Sequence, residues 1–155
     1  MKGAILAAAL ALTSAVVLSA CSGGGASGEQ GFKDADVVIK KSSVTKTAQY
    51  IPVEADGVQM EIIAVKAPDD TIRLAFNTCQ VCYDSGRGYY KQDGDVFVCQ
   101  NCGNRFETSQ LAIEKNGCNP IGIYDDWVTQ GEDEITIPID LIKEAESLFG
   151  SWKTN

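Results

Sequence analysis

The stretch FNTCQVCYDSGRGYYKQDGDVFVCQNCGNRFETSQLAIEKNGCNP, residues 76–120, carries five of the six cysteines in a chain of 155 residues. Their spacing is C-x2-C-x16-C-x2-C-x15-C, from Cys79 through Cys82, Cys99 and Cys102 to Cys118. Two residues between cysteines let the backbone fold into a knuckle, so that both sulfurs face one ion while local amides donate to them. Cys99-Gln100-Asn101-Cys102-Gly103 fits a knuckle best, because Gly103 can take the positive-φ position after the second ligand. Cys79-Gln80-Val81-Cys82 is a looser version, with glycine delayed to Gly86.

Between the two pairs, Gly88 to Gln92 and Asp95 to Cys99 flank Asp93-Gly94, a two-residue hairpin signal. A turn centred there predicts Tyr90 opposite Phe97 and Tyr89 opposite Val98, with Cys82 and Cys99 near one end of the ribbon. Two knuckles at the ends of one hairpin describe a zinc-ribbon or rubredoxin-like arrangement. Two other readings compete. Disulfides suit an exported protein, but five clustered cysteines leave one unpaired, and a C-x2-C pair bridged to itself closes only a small ring. Thiol redox catalysis through C-x-x-C lacks a strand-turn-helix setting here.

Upstream, Val37 to Phe76 shows period-two patterning. Val44 to Val53 runs into Asp56-Gly57, and Val58 to Lys66 runs back, which sets Val53 opposite Met60 and Ile51 opposite Ile62. Thr71 to Phe76 supplies a third strand that ends just before the first cysteine pair. Downstream, Thr108 to Lys115 reads as a short helix closed by Asn116-Gly117, a turn that returns Cys118 to the site. Ile121 to Tyr124 and Glu134 to Ile137 read as strands. Asp140 is placed to cap a last helix, Leu141 to Phe149. The expected class is α+β, mostly antiparallel β: an N-terminal meander carrying the two-knuckle cysteine hairpin, with a short helix and a C-terminal helix.

The first residues read as an address. Met1 to Ala20 open with Lys2, continue as an apolar run and end in small residues, and Leu18-Ser19-Ala20-Cys21 has the form of a bacterial lipobox in which Cys21 carries the lipid. An uncleaved membrane anchor is the competing reading, since the run is near the short limit for a span. Residues 21–34 read as a flexible Gly/Ser tether, and residues 35–155 as one domain. The expected location is the extracytoplasmic face of the cell membrane.

Lys and Arg number 13 against 21 Asp and Glu, and removal of the signal takes Lys2 and no acid. So acidic a surface repels phosphate backbones, so a nucleic-acid partner is not expected. The chain has no histidine. That excludes Ser-His-Asp and Cys-His nucleophile pairs, histidine-ligated haem and any zinc site relying on imidazole. A metal here is held by sulfur, carboxylate or backbone oxygen.

The run from residue 76 to 120 resembles the FtrD-like membrane iron-sulfur protein family. The shared features are the Cys79/Cys82 pair followed by Tyr83, Gly88-Tyr89, the Cys99/Cys102/Gly103 knuckle with Arg105-Phe106, and Gly117-Cys118-Asn119-Pro120. The similarity extends from about Tyr50 to the C-terminal helix. It implies a metal or iron-sulfur site and, for members encoded with iron permeases, a role in iron uptake or electron delivery.

The expected metal ligands are therefore drawn from Cys79, Cys82, Cys99, Cys102 and Cys118, holding an iron-sulfur cluster or iron, with zinc as the alternative. Four ligands saturate a tetrahedral ion, so the fifth cysteine either exchanges with one of them or stands by. Tyr89, Tyr90, Phe97 and Phe106 are expected to shield the centre from water and tune its potential, or simply to pack the hairpin. The expected partners are the membrane, through the lipid on Cys21, and an iron permease or a redox partner membrane protein. The competing function is a structural zinc ribbon that contacts a partner protein or passes metal to a permease. In that case Asp125-Asp126 and Gly131-Glu132-Asp133-Glu134 could hold a hard cation weakly, although solvated loop charge explains them too. No catalytic residues are expected: the chain has no G-x-S-x-G and no phosphate-cradling loop.

Overall fold

The computed structural model describes residues 31–154. The signal segment 1–20, Cys21 and most of the tether lie outside the described residues. Of the tether, residues 31–34 are described, and Phe32–Lys33 form strand β1.

The backbone of the fold is the meander that the turn chemistry dictates. Strands β2 (Val37–Lys40), β3 (Gln49–Ala55), β4 (Val58–Lys66) and β5 (Ile72–Cys79) follow in order. Asp56 and Gly57 both have positive φ, 47° and 85°, as a type I′ turn requires. The resulting register pairs Val53 with Met60 and Ile51 with Ile62, as the sequence predicts. β1 adds parallel to the outer edge of β3, and β9 (Pro120–Ile123) adds antiparallel to β5. The sheet order is β1-β3-β4-β5-β9.

Two smaller sheets cover it. β10 (Thr129–Gln130) and β11 (Glu134–Ile137) join β2 in the order β10-β11-β2. β6 (Tyr90–Asp93), β7 (Val96–Cys99) and β8 (Arg105–Glu107) form the third sheet. Successive side chains on a strand point to opposite faces, and β4 uses both. Met60, Ile62 and Ala64 belong to one core with Val37, Ile39, Ile135, Ile137, Ile142 and Phe149. Ile63 and Val65 belong to the other, with Ala75, Tyr90, Phe97, Phe106, Leu111 and the cysteines. A central sheet buried on both faces explains why VQMEIIAVK reads as nearly continuous apolar sequence.

Several expectations are corrected. The class is mostly β rather than α+β: the described residues contain one α-helix, α1 (Ile139–Glu144), of six residues. It starts before the predicted Leu141, and a 3₁₀ turn, Glu146–Leu148, continues it to Phe149. Asp140 lies inside its first turn; the cap comes from afar, as Asp36 Oδ1 accepts the Ile139 N–H at 2.8 Å. The predicted helix Thr108 to Lys115 is a 3₁₀ turn, Thr108–Gln110, that ends at once. Leu111 is drawn fully into the cysteine-side core, and Ala112 takes φ 57° against Gly122 of β9, where an added Cβ would lie 2.9 Å from Ala112 Cα. So short a segment has little helical nucleation to set against that packing.

The zinc-ribbon or rubredoxin-like hairpin carried by an N-terminal meander does not form as expected either. The cysteine ribbon is three-stranded, and its turn is centred on Gly94-Asp95 rather than Asp93-Gly94, so Asp93 pairs with Val96 and Tyr90 pairs with Cys99 instead of Phe97. Gly94 alone has positive φ, 62°, the II′ pattern that places glycine first. A slide of this kind keeps every side chain on its predicted face, because the strand parity is unchanged.

Candidate metal centre

The first knuckle hangs from the end of β5. Pairing between β5 and β9 shifts between Phe76 and Cys79, an irregularity that re-aims the strand end. The Cys79 N–H donates to Gly88 O at 2.7 Å. Gly88 passes so close to the knuckle that a Cβ there would lie 2.1 Å from Cys82 O, so only glycine fits. Ser85 closes the turn, its N–H and Oγ both donating to Cys82 O, at 3.0 and 2.7 Å.

The second knuckle hangs from the end of β7. Gly103, at φ 73°, donates its N–H to Cys99 O, and the Cys99 N–H donates to Asn104 O, both at 2.9 Å. Cys118 arrives on the entry to β9 and is tied to both knuckles. Asn104 Nδ2 donates to Cys118 O at 2.7 Å, and the Gln80 N–H donates to Asn119 O at 3.0 Å.

All five predicted cysteines therefore meet. Cys79, Cys82 and Cys99 are buried, Cys118 is half-buried and Cys102 is exposed; all are free thiols. The sulfurs of Cys79, Cys82, Cys99 and Cys118 lie within 4.8 Å of one another and could hold a metal ion. Cys79 and Cys118 sulfurs are 3.2 Å apart, and Cys102 touches Cys118 at 2.9 Å. A tetrahedral ion with metal–sulfur bonds of about 2.3 Å spaces its sulfurs by about 3.8 Å, so small side-chain adjustments close this set on an ion. The sulfur-only donor set and the surrounding N–H groups fit a thiolate-bound iron or zinc centre.

The electrostatics sort the thiols. Burial pushes Cys79 up, but the Tyr90 hydroxyl, the N–H groups of Cys82 and Val81 and the Cys118 thiol together bring it below the ordinary thiol value. Cys102 is drawn down to about 7, chiefly by its hydrogen bond with Cys118. Burial raises Cys99 to about 12, although the N–H groups of Cys102 and Asn101 offset part of that rise. Cys82 and Cys118 are raised by burial as well. Binding of an ion must therefore displace protons from the buried thiols, which the cation's charge drives.

Tyr90 is fully buried, and its hydroxyl lies 3.7 Å from the Cys118 sulfur as well as bonding that of Cys79. Asn77, itself buried, clamps the Tyr90 backbone: Asn77 Oδ1 accepts the Tyr90 N–H at 2.7 Å, and Asn77 Nδ2 donates to Tyr90 O at 3.3 Å and to Glu61 Oε1 at 2.6 Å. Sequence reasoning missed Asn77 and Asn104. The one available cue was a polar residue on a buried strand just before Cys79, and another just after Gly103. Asp125, Asp126 and the 131–134 loop form no second ligand group among the described residues.

No described helix is long and apolar enough to cross a membrane. Comparison with known proteins adds a family. None of the characterised proteins compared matches the chain in sequence. Among solved structures, the quaternary ammonium Rieske monooxygenase CntA matches with a TM-score of 0.45 at 17% identity, over 70% of this chain and 32% of that one. The chain thus spans about a third of that enzyme's length, and the likeness is too slight to carry an argument. The sequence profile of the membrane iron-sulfur containing proteins of the FtrD-like type matches residues 44–149, from β2's exit to the end of the C-terminal turn and across every site cysteine. With two thirds of its length covered, the chain belongs to the FtrD-like membrane iron-sulfur containing protein family.

Proposed function

We propose that this protein is a membrane-attached carrier of a cysteine-ligated iron-sulfur or iron centre that passes single electrons or supports iron uptake. The observation that carries the reading is the gathering of Cys79, Cys82, Cys99 and Cys118 within 4.8 Å, on three separate chain segments. When bound, an iron centre supplies one-electron chemistry whose potential is set by burial and by hydrogen bonds to sulfur. Here the chain contributes both: Tyr90, Phe97, Phe106 and Leu111 exclude water, while the Tyr90 hydroxyl and the knuckle N–H groups donate to sulfur. Cys21 carries the lipid that holds the domain at the extracytoplasmic membrane face, and an iron permease or another redox membrane protein is the partner. The family's description supports the membrane and iron-sulfur parts of this reading.

The test is anaerobic purification followed by iron, acid-labile sulfide and zinc analysis with a visible spectrum. Iron with thiolate-to-iron absorption supports the proposal; a colourless protein holding zinc alone rejects it.

One observation favours a structural zinc site as the second reading. A closed, mostly buried set of four thiolates saturates a tetrahedral ion and leaves no open position. In that case the domain is a binding module, and its contacts are made by surface residues rather than by the ion.

A further inference from the structure

Five thiols meet where a tetrahedral ion takes four, and the supernumerary thiol is the one facing solvent. Cys79, Cys82 and Cys99 are buried, so the half-buried Cys118 and the exposed Cys102 are the thiols of the cluster that solvent reaches most readily. These two touch, sulfur to sulfur, at 2.9 Å. The contact is built rather than incidental. Asn104, two residues beyond Cys102, holds the Cys118 carbonyl at 2.7 Å, and its own carbonyl holds the Cys99 N–H at 2.9 Å. One side chain and one carbonyl thus lock the loop of the exposed thiol to the half-buried Cys118 and to the buried Cys99.

We propose that Cys102 is the exchange thiol of the centre: it receives an incoming thiophilic cation at the surface and passes it to the buried set by trading places with Cys118. The inference rests on reading the cluster as a metal centre and goes beyond it by naming the route in and out. The exchange balances. The ion first displaces the protons of Cys79, Cys82 and Cys99 to solvent while Cys102 is its fourth thiolate. Then, as Cys118 closes its bond to the ion, Cys102 releases its own, and the proton that Cys118 gives up passes to Cys102 across their contact. In that trade the number of thiolates on the ion and the net charge stay constant. Release runs the same steps backwards. The accepted class is soft or borderline, such as Fe(II), Zn(II) or Cu(I), because the receiving group and the four holding groups are all thiols. A buried set of four thiolates exchanges slowly by itself, since no incoming ligand reaches the ion. An exposed thiol beside the least buried ligand removes that obstacle.

The test uses the full chain in detergent, reduced and free of oxygen, loaded with Zn(II) and mixed with a chromophoric chelator. Stoichiometry and the time course of transfer are read together. The wild type shows a fast phase of release; Cys102→Ser keeps the same zinc stoichiometry and loses that phase. Asn104→Ala, which keeps all five thiols but frees Cys118 from the loop, slows transfer in the same direction. Loss of zinc stoichiometry in Cys102→Ser overturns the proposal, because Cys102 is then a permanent ligand. Wild-type kinetics in both variants overturns it as well. A wild type that binds neither zinc nor iron instead removes the metal-centre reading on which the proposal stands.

Discussion

The two faces of the central sheet are cores of different kinds. One is filled by aliphatic side chains of β2, β4, β11 and α1 with Phe76 and Phe149, ring centroids 6.2 Å apart. Such a core needs nothing from outside, because transfer of its apolar surface from water suffices to close it. The other holds Tyr90, Phe97, Phe106 and Leu111 around sulfurs whose burial is electrostatically unfavourable for thiolates. It is pinned by polar clamps, Asn77 on Tyr90 and Asn104 on Cys118, rather than by area alone. The contrast teaches that the aliphatic face closes by apolar burial alone, while the cysteine face gathers four sulfurs that could hold a metal ion.

The largest expected effect is on metal removal. For small thiolate sites, binding free energy of order 10 kcal/mol is also folding free energy. Stripping the centre should therefore collapse hydrogen-exchange protection in β6, β7 and β8 while β3, β4 and β11 stay protected. Uniform loss across the chain would show that the two faces are one cooperative unit.

Next comes Ile62→Ala on the aliphatic face, where Ile62 is fully buried. It should lower stability by about 2–5 kcal/mol in denaturant unfolding, equally with and without metal. A cost that depends on metal would break the separation.

Asn77→Ala removes the clamp from the Tyr90 backbone on the cysteine face. Leaving that buried N–H without its partner should cost about 1–3 kcal/mol, with protection lost first around Tyr90. A loss spread evenly over both faces would contradict the division of labour.

The smallest effect is expected of Tyr90→Phe. It removes one hydroxyl beside two sulfurs and about 0.5–1.5 kcal/mol of hydrogen bonding. The metal should remain, and the reduction potential of an iron centre should fall, because hydrogen bonds to sulfur favour the reduced state. An unchanged potential would mean that the hydroxyl only fills space.

A pH series on the apo protein sharpens the picture within the cysteine face. Cys102, drawn down to about 7 from 9.0, should reach its full alkylation rate about two pH units below an ordinary thiol. Cys99, raised to about 12, should stay unreactive through that range. Mass-spectrometric mapping of the label by residue checks both.

The first hairpin was legible in sequence and the second was only half legible, for a local reason. Asp56-Gly57 admits positive φ at both central positions, and the register it sets brings Val53 onto Met60 and Ile51 onto Ile62. Asp93-Gly94-Asp95 offers glycine as either the second residue of a I′ turn or the first of a II′ turn. The choice fell to the fit of Tyr90 beside Cys99 and under the sulfurs, a contact between segments that no window on the chain contains.

The helix predicted over Thr108 to Lys115 failed for a related reason. Its local propensity was real but weak, and burial of Leu111 with close approach to Gly122 outweighed it.

The amino acids alone determined the inventory: five clustered cysteines without a histidine, knuckle spacing in both pairs, a meander to carry them, and an acidic surface. The tertiary structure decided which sulfurs stand inside and which outside. It buried Cys79, Cys82 and Cys99, brought Cys118 into their midst and left Cys102 at the rim, an assignment that equal spacing in the two pairs does not contain. Spacing along a chain sets what two neighbours can share, whereas burial depends on which distant strand packs over them.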